Sequence, residues 1–356
     1  MKPVLALIRT SPPQAPGSMS AYATLVQQAL AGAEDPPFEV RCCDLFPLHA
    51  GRSMWFQHLW RIVHARRILS AVPADLYHLL DGSMCAFVPS AFRGRTVVTV
   101  HDLIPMLQEE GRLPGTPSRP AARLIRRTAA ALAEVAGITT VSAHTGYDLE
   151  RLTGRSDGVV ISHAVRPLAG GAADEPADLP ARYLLHVGNN ALYKNRSGVL
   201  DVFARLQDVA DLHLVMAGPE PGTILRRRAQ GLQRVSFRVD VSDAELGALY
   251  RNASVFLFPS LYEGFGMPIL EAMTAGCPVV CSDGGSLPEV AGDAALLAPA
   301  GDPDALARHC RSILESPALR EDLCSRGRRH AGRFTMQRFS DALIAWYGKN
   351  LNMRQG

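Results

Sequence analysis

The sequence predicts an α/β protein of two doubly wound domains facing each other across a cleft, and three observations predict it. Short β-branched runs alternate with helical periods along the chain, the pattern of parallel sheets covered on both faces. The alternation breaks over residues 164–181, AVRPLAGGAADEPADLPA, which are rich in Ala, Gly and Pro and have no apolar period. It then restarts, and 356 residues is the length of about two ordinary domains.

The first domain, 1–165, opens with PVLALI (3–8) and a helix near 18–32, followed by FEVRCC (38–43). A helix near 53–69 precedes DLYHLL (75–80), and TVVTV (96–100) ends in His101 and Asp102. A helix near 120–135 leads to GITTVS (137–142). A linker is expected over 166–181, and the second domain over 182–334. That domain begins YLLHVG (183–188), a helix near 195–208, LHLVMAG (212–218), a helix near 221–231 and VSFRV (235–239). It continues with a helix from Asp243 to Tyr250, VFLFPS (255–260), a helix after Gly266, PVVCS (278–282) and AALLAP (294–299). Helices near 303–315 and 317–331 follow, and a last one in 335–356 is expected to pack back toward the first domain.

Composition removes several function classes. The apolar fraction of 47% lets each domain build a core, and a net charge of +3 is too small to argue for nucleic acid. No run reaches the roughly 18–20 apolar residues that span a bilayer. MKPVLALIRTSPP is interrupted by Arg9 and Pro12, so it reads as a first strand and not as a signal peptide. Residues 1–166 hold 17 Lys and Arg against 13 Asp and Glu, so the first half is the basic one. RIVHARR (61–67) and RPAARLIRR (119–127) look like basic helix faces. They are either solvated surface or a contact for anionic lipid headgroups or a lipid-linked phosphate. The seven cysteines lack zinc spacing. They read as reduced thiols, mostly inside apolar strands, of a cytoplasmic protein.

The segment 255–282, VFLFPSLYEGFGMPILEAMTAGCPVVCS, carries the chemistry. A strand runs into a turn, a short helix and a second strand. Pro268 fits a first helical turn, and Gly276 with Pro278 marks the stop. Glu271 then lies about one turn in, with its carboxylate leaning toward the helix start, where it can accept both hydrogens of a ribose diol. Glu263 precedes the helix and can grip hydroxyls of a second sugar. Amides near Gly264, Phe265 and Gly266 face an anion. Sugar grip, phosphate grip and ribose grip in that order match a nucleotide-diphosphate sugar.

On these residues the chain resembles the family-4 retaining glycosyltransferases, the glycosyl transferases group 1 enzymes of the GT-B fold, built from two Rossmann-like domains. EGFGMPILE resembles their donor motif, and Met267 and Leu270 fall within it. YLLHVGNNALYKN (183–195), LVMAG (214–218) and SDAELGALYRNASVFLFPSLYEGFG (242–266) follow in the family's order. TVHDLIP (99–105) and VSAHTGYDL (141–149) resemble first-domain segments. The resemblance implies that Lys194 neutralises the leaving pyrophosphate, that Gly188 with Asn189 lets the backbone approach it, and that Glu263 holds the transferred sugar. It further implies that Glu271 holds the ribose and that His101 meets the sugar near its reacting carbon. HDLIP is similar to members that use GDP-mannose, with a glycan or lipid-linked acceptor in polysaccharide or cell-envelope glycan synthesis. It implies no cofactor, no metal and a cytoplasmic enzyme at the inner face of the membrane.

The chain departs from the family in three places. The family's arginine before the lysine is replaced by Asn189, Asn190 and Tyr193, and Arg196 is the candidate second cation. The N-terminal loop reads Gly17, Ser18, Met19, Ser20 where a glycine-richer run is common, and Val239 stands at a frequent glycine. Asp302-Pro303-Asp304 mimics an Asp-x-Asp metal motif but reads as a helix cap. Two other functions stay open, a nucleotide-sugar 2-epimerase on the same fold and a degenerate nucleotide-sugar-binding partner. A dinucleotide oxidoreductase would need a glycine fingerprint after the first strand, and RTSPPQAPGSMS does not supply it.

Overall fold

The computed structural model describes residues 2–12, 17–34, 36–47, 54–165, 168 and 178–352. Most of the linker expected over 166–181 therefore lies outside the described residues. Two compact units are present, one made of 1–112, 116–164 and 336–356, the other of 165–335 with 113–115.

The first unit runs β1 (Val4–Arg9), α1 (Ser18–Ala31), β2 (Glu39–Asp44), α2 (Met54–Ala71), β3 (Leu76–Leu79), α3 (Ser90–Arg93), β4 (Thr96–Val100), α4 (Ile104–Glu109), α5 (Arg119–Ala133), β5 (Gly137–Thr140), α6 (Ala143–Thr153) and β6 (Val159–Val160). Its sheet has the order β2-β1-β3-β4-β5-β6, with every pairing parallel. The second unit runs β7 (Tyr183–Val187), α7 (Arg196–Ala204), β8 (His213–Ala217), α8 (Thr223–Gln230), β9 (Val235–Arg238), α9 (Asp243–Asn252), β10 (Val255–Phe258), α10 (Met267–Thr274), β11 (Val279–Ser282), α11 (Leu287–Ala291), β12 (Ala295–Ala298), α12 (Pro303–Glu315) and α13 (Pro317–Ala331). Its parallel sheet has the order β12-β11-β10-β7-β8-β9. In each sheet the first strand of the unit has neighbours on both sides, which makes a switch point where consecutive connections leave in opposite directions. The final helix, α14 (Met336–Asn352), belongs to the first unit.

Continuous apolar strands produce these sheets. β4 and β10 are buried along their whole length, as expected for strands covered on both faces. One face of the first sheet is packed by α2 and α5. The other is packed by α1 and by Phe339, Leu343, Trp346 and Tyr347 of α14. The Tyr347 hydroxyl is also hydrogen-bonded to His78 Nδ1 at 2.6 Å, and Ser340 Oγ donates to the Ala29 carbonyl at 2.7 Å. No helix among the described residues is long and apolar enough to cross a membrane.

FEVRCC forms the expected strand, β2, which lies at the sheet edge and is exposed at most positions because only β1 pairs with it. Two local expectations are corrected. The cysteines are not mostly in strands: Cys310 and Cys324 lie on α12 and α13, Cys85 on a 3-10 turn, and Cys42 on β2 is exposed. RIVHARR is not a uniform basic face. Arg61 is buried, donating from Nε to the Leu45 carbonyl at 3.1 Å and from Nη2 to the Thr10 carbonyl at 2.9 Å.

Candidate functional site

The second unit gathers its candidate residues at the carboxyl ends of β7 and β10, on either side of the switch point, where open α/β sheets bind ligands. Gly188 continues the strand by donating its amide to Ala217 at 3.1 Å. Gly218 turns at φ 146° directly under the Gly188 carbonyl, where any Cβ would overlap it. The chain then makes a 3-10 turn over Leu192–Lys194, and Asn195 adopts a left-handed conformation at φ 52° to start α7. Asn195 Oδ1 accepts from the Gly198 amide at 3.1 Å, and its Nδ2 donates to the Pro259 carbonyl at 2.9 Å. Leu261 donates its amide to the Tyr193 carbonyl at 2.7 Å. The loop after β7 is thus sewn to the loop after β10.

This stitching brings two distant side chains together. Lys194 Nζ lies 2.8 Å from both Glu263 oxygens, with the lysine 15% and the glutamate 9% exposed. The ammonium also lies 5.5 Å from the ring centres of Tyr193 and Phe258, a cation–π arrangement. With so little water to screen it, this pair is a strong local dipole.

A second loop holds Glu263 from below. Ser286 donates its hydroxyl to the carbonyls of Glu263 at 3.0 Å and Phe265 at 2.8 Å, and its amide to Glu263 at 3.0 Å. Gly284 and Gly285 let this loop lie against the Leu261 and Glu263 backbones, where a Cβ would collide. Gly266, at φ 100°, then starts α10 with no side-chain cap, and Pro268 occupies its first turn. Glu271, one turn in, accepts from the Tyr250 hydroxyl of α9 at 3.1 Å, which leaves one carboxylate oxygen outside that bond.

The structure places the remaining residues of the expected donor loop as follows. Leu270 is fully buried, so its side chain is core packing. Phe265 is buried with its ring 6.0 Å from Phe334. Met267 remains half-buried at the helix start. Asn189 Oδ1 accepts from the Ala191 amide at 3.0 Å and shapes the turn. Val239, after β9, is exposed.

Arg196 stands out electrostatically. It is 6% exposed, and its Nη1 donates to Asn190 Oδ1 and to the Pro219 carbonyl at 3.2 Å. Its Nε and Nη2 have no hydrogen-bond partner among the described residues. Those two nitrogens form one edge of the guanidinium, the fork that matches a carboxylate or phosphate. Burial pushes the Arg196 pKa down, so the site holds a charge that the protein solvates only on one side. His186 is its neighbour in charge. Its Nδ1 donates to the Leu257 carbonyl at 3.1 Å, which leaves Nε2 as an acceptor without a partner among the described residues. Burial, opposed by the Leu257 bond and assisted by the Arg196 and Lys194 charges, pushes this histidine down to about 3.

His186, Tyr250 and Ser286 were not legible as site residues. The Gly-Gly dipeptide of 282–286, SDGGS, was the available signal for the supporting loop. Asp302 caps α12 by accepting from the Ala305 amide at 2.9 Å, and Asp304 pairs with Arg205.

His101, Gly17, Ser18 and Ser20 belong to the first unit. His101 follows β4 directly, is 9% exposed, and donates from Nε2 to the Leu80 carbonyl at 2.8 Å. The Tyr22 ring meets it edge-on at 4.4 Å. Burial lowers its pKa despite the opposing effects of Leu80 and Asp81, which keeps it neutral. Gly17 caps α1 at φ 130° and Ser18 is its exposed first residue. Ser20 is buried and its hydroxyl donates to the Pro12 carbonyl at 3.0 Å.

Residues 173–330, which hold the Lys194–Glu263 pair and α10, match the family model "Glycosyl transferases group 1". The chain carries a glycosyl transferases group 1 domain. Relatives of the transferase domain include O-antigen chain mannosyltransferase B of Escherichia coli, 36% identical over 172 residues, 46% of this chain and 45% of the relative. Another is a GDP-mannose-dependent alpha-(1-6)-phosphatidylinositol dimannoside mannosyltransferase of Mycobacterium tuberculosis, 32% identical over 168 residues, 46% of this chain and 43% of the relative. The matched stretch spans less than half the length of these relatives. Over the whole chain the fold is similar to that of a sucrose-phosphate synthase from Thermosynechococcus elongatus, with a TM-score of 0.77 at 22% identity, covering 98% of each chain. The two six-stranded parallel sheets and this neighbour give the fold as GT-B.

Proposed function

We propose that the chain is a retaining glycosyltransferase that moves a mannosyl group from GDP-mannose to a hydroxyl of a glycan or lipid-linked acceptor. The observation that carries the reading is the Lys194–Glu263 pair, 2.8 Å apart at the switch point of a glycosyl transferases group 1 domain. Mannosyltransferase relatives, one of them GDP-mannose-dependent, support the choice of donor.

In this reaction the bond from the sugar's anomeric carbon to the β-phosphate oxygen breaks and a bond to the acceptor oxygen forms on the same face. The acceptor proton passes to the leaving phosphate oxygen. The protein positions the partners and stabilises charge. Lys194 takes the charge that develops on the pyrophosphate, assisted by the positive end of α10 and by the field of the buried Arg196 guanidinium. Glu263, held by Ser286, accepts from hydroxyls of the sugar. Glu271, steadied by Tyr250, accepts from the ribose diol. His101, neutral through burial, contacts the sugar near the reacting carbon, and Gly17 and Ser18 approach the donor or acceptor from the first unit. No metal is required, because the two cations take that role.

The test is a panel of nucleotide sugars incubated with the whole chain, with and without a crude lipid acceptor, scored by nucleotide release. GDP release from GDP-mannose that rises with acceptor and survives a chelator is the expected result. Conversion of the donor sugar without acceptor identifies an epimerase instead. No turnover of any nucleotide sugar, with donor binding retained, identifies a degenerate partner.

A further inference from the structure

The His101 ring makes one hydrogen bond among the described residues, the 2.8 Å contact of Nε2 with the Leu80 carbonyl. A single bond fixes one nitrogen and leaves the plane of the ring free to tilt about it. Tyr22 of α1 sets that plane. Its ring meets His101 edge-on, with centres 4.4 Å apart and planes at 83°, an arrangement that aromatic rings favour. Tyr22 is itself clamped: His163 stacks on it at 4.8 Å, and Phe339 of α14 meets it at 6.1 Å.

The Tyr22 hydroxyl begins a chain of buried polar groups that the proposed transfer does not use. It lies 3.0 Å from Thr99 Oγ1 on β4. The same Oγ1 lies 2.8 Å from His78 Nε2 on β3, and His78 Nδ1 lies 2.6 Å from the Tyr347 hydroxyl on α14. Thr99 and His101 are two residues apart, so they point to one face of the sheet and a single tyrosine reaches both. Tyr22, Thr99, His78 and Tyr347 are each no more than 3% exposed. A neutral His78 donates from one nitrogen and accepts at the other, so either tautomer completes the chain. Apolar residues would fill this core without burying four polar groups. A satisfied network, by contrast, fixes one arrangement of its side chains. This one joins the last helix of the unit to the ring on which His101 leans.

We propose that Tyr22 is a positioning residue for His101, set in turn by α14 through Tyr347, His78 and Thr99. This role rests on His101 contacting the sugar near its reacting carbon, as proposed above. The tilt of the ring then decides how it meets the sugar, and a misplacement of about 1 Å can cost on the order of a hundredfold in rate. No hydrogen bond or ring contact joins Tyr347 to His101 among the described residues. An effect of the Tyr347 hydroxyl on His101 therefore passes through the chain. A purely structural role would instead lower stability and leave the His101 ring where it is.

The test follows the His101 ring by NMR of the full chain labelled in its histidine rings, with the His101 signal assigned by its loss in His101→Ala. Tyr22→Phe and Tyr347→Phe should each shift that signal. Each should also lower kcat for GDP release from GDP-mannose with a crude lipid acceptor by about tenfold, with KM for GDP-mannose kept within about twofold. The double variant should fall no further than the single ones, because both hydroxyls act along one chain. Tyr77→Phe is the control, assayed like the others well below its melting temperature. It removes a buried hydroxyl from the residue before His78, one that donates to the Leu69 and Val72 carbonyls in the core on the other face of the sheet. Signal and kcat should stay unchanged in it. An unmoved His101 signal in both Tyr22→Phe and Tyr347→Phe overturns the inference. So does a moved signal with full kcat, or an equal loss in Tyr77→Phe. Full kcat in His101→Ala removes the sugar contact on which the role rests, so the two failures are told apart.

Discussion

Lys194 and Glu263 neutralise each other in a place where neither is well hydrated, so changing one leaves the other exposed to the cost of burial. Removing one partner of a buried pair typically costs about 3–5 kcal/mol, and the 15% exposure of Lys194 moves this case toward the lower end. Lys194→Met alone and Glu263→Gln alone should therefore lower the urea midpoint as well as activity. The double variant should recover most of the stability while transfer stays down on the order of a hundredfold or more, since leaving-group stabilisation is lost in both backgrounds. A double variant that regains activity along with stability would show that the pair is only structural. At this scale the sequence was readable where a residue's type and setting state its chemistry, as with Glu263, Glu271 and Lys194. It was unreadable for residues that act through a neighbour. Nothing in YLLHVG shows that His186 would lie under Gly188, and nothing in SDAELGALY shows that Tyr250 would meet Glu271. The first contact depends on how the strand end bends into its turn and the second on how α9 packs against α10, and neither is specified by the apolar pattern.

At the scale of elements, the candidate site is built from loops that fit only because particular glycines are there. Gly285 has φ 65°, and a Cβ there would overlap the Glu263 backbone. Gly285→Ala should displace the Glu263 loop, raising KM for the donor and lowering kcat, with a stability cost of about 1–2 kcal/mol from the left-handed backbone alone. Gly301→Ala, which meets no atom within 4 Å, should be silent in the same assays. Equal kinetics in the two variants would remove Gly285 from the support of the site. The order of strands and long helices was legible from alternating periods and cap residues. Short elements escaped: α3, α4, α11 and the 3-10 turns each have too few residues for a period to show. β2 was legible as a strand, and its Glu39 and Arg41 fit the exposed edge on which it sits.

At the scale of the molecule, buried histidines set its response to acid. His78 and His186 are pushed down to about 3 by burial, and His101 and His163 are lowered by the same cause. In the unfolded chain each would titrate near 6.5. Folding therefore requires them neutral, and the stability this provides is complete above about pH 6.5 and declines as pH falls toward 3. His78 and His186 each change stability by about 1.4 kcal/mol per pH unit within that window, and His101 and His163 act in the same direction. The melting temperature should fall steadily from pH 6.5 to 4, with proton uptake on unfolding measurable by titration calorimetry. A flat profile over that range would contradict the burial of these rings.

The chain leaves the first unit after residue 164 and returns to it at Met336. One domain is thus inserted into another, and the core that α1 and α14 share is assembled from residues more than three hundred positions apart, as the Ala29–Ser340 bond illustrates. A ribosome finishes the transferase domain before it has made the helix that closes the domain it began with. Until then the face of the first sheet that Phe339, Leu343 and Trp346 will cover stands open to solvent. Biosynthesis of this chain therefore runs in the reverse of its written order, with the second domain complete first and the first domain waiting on the last helix.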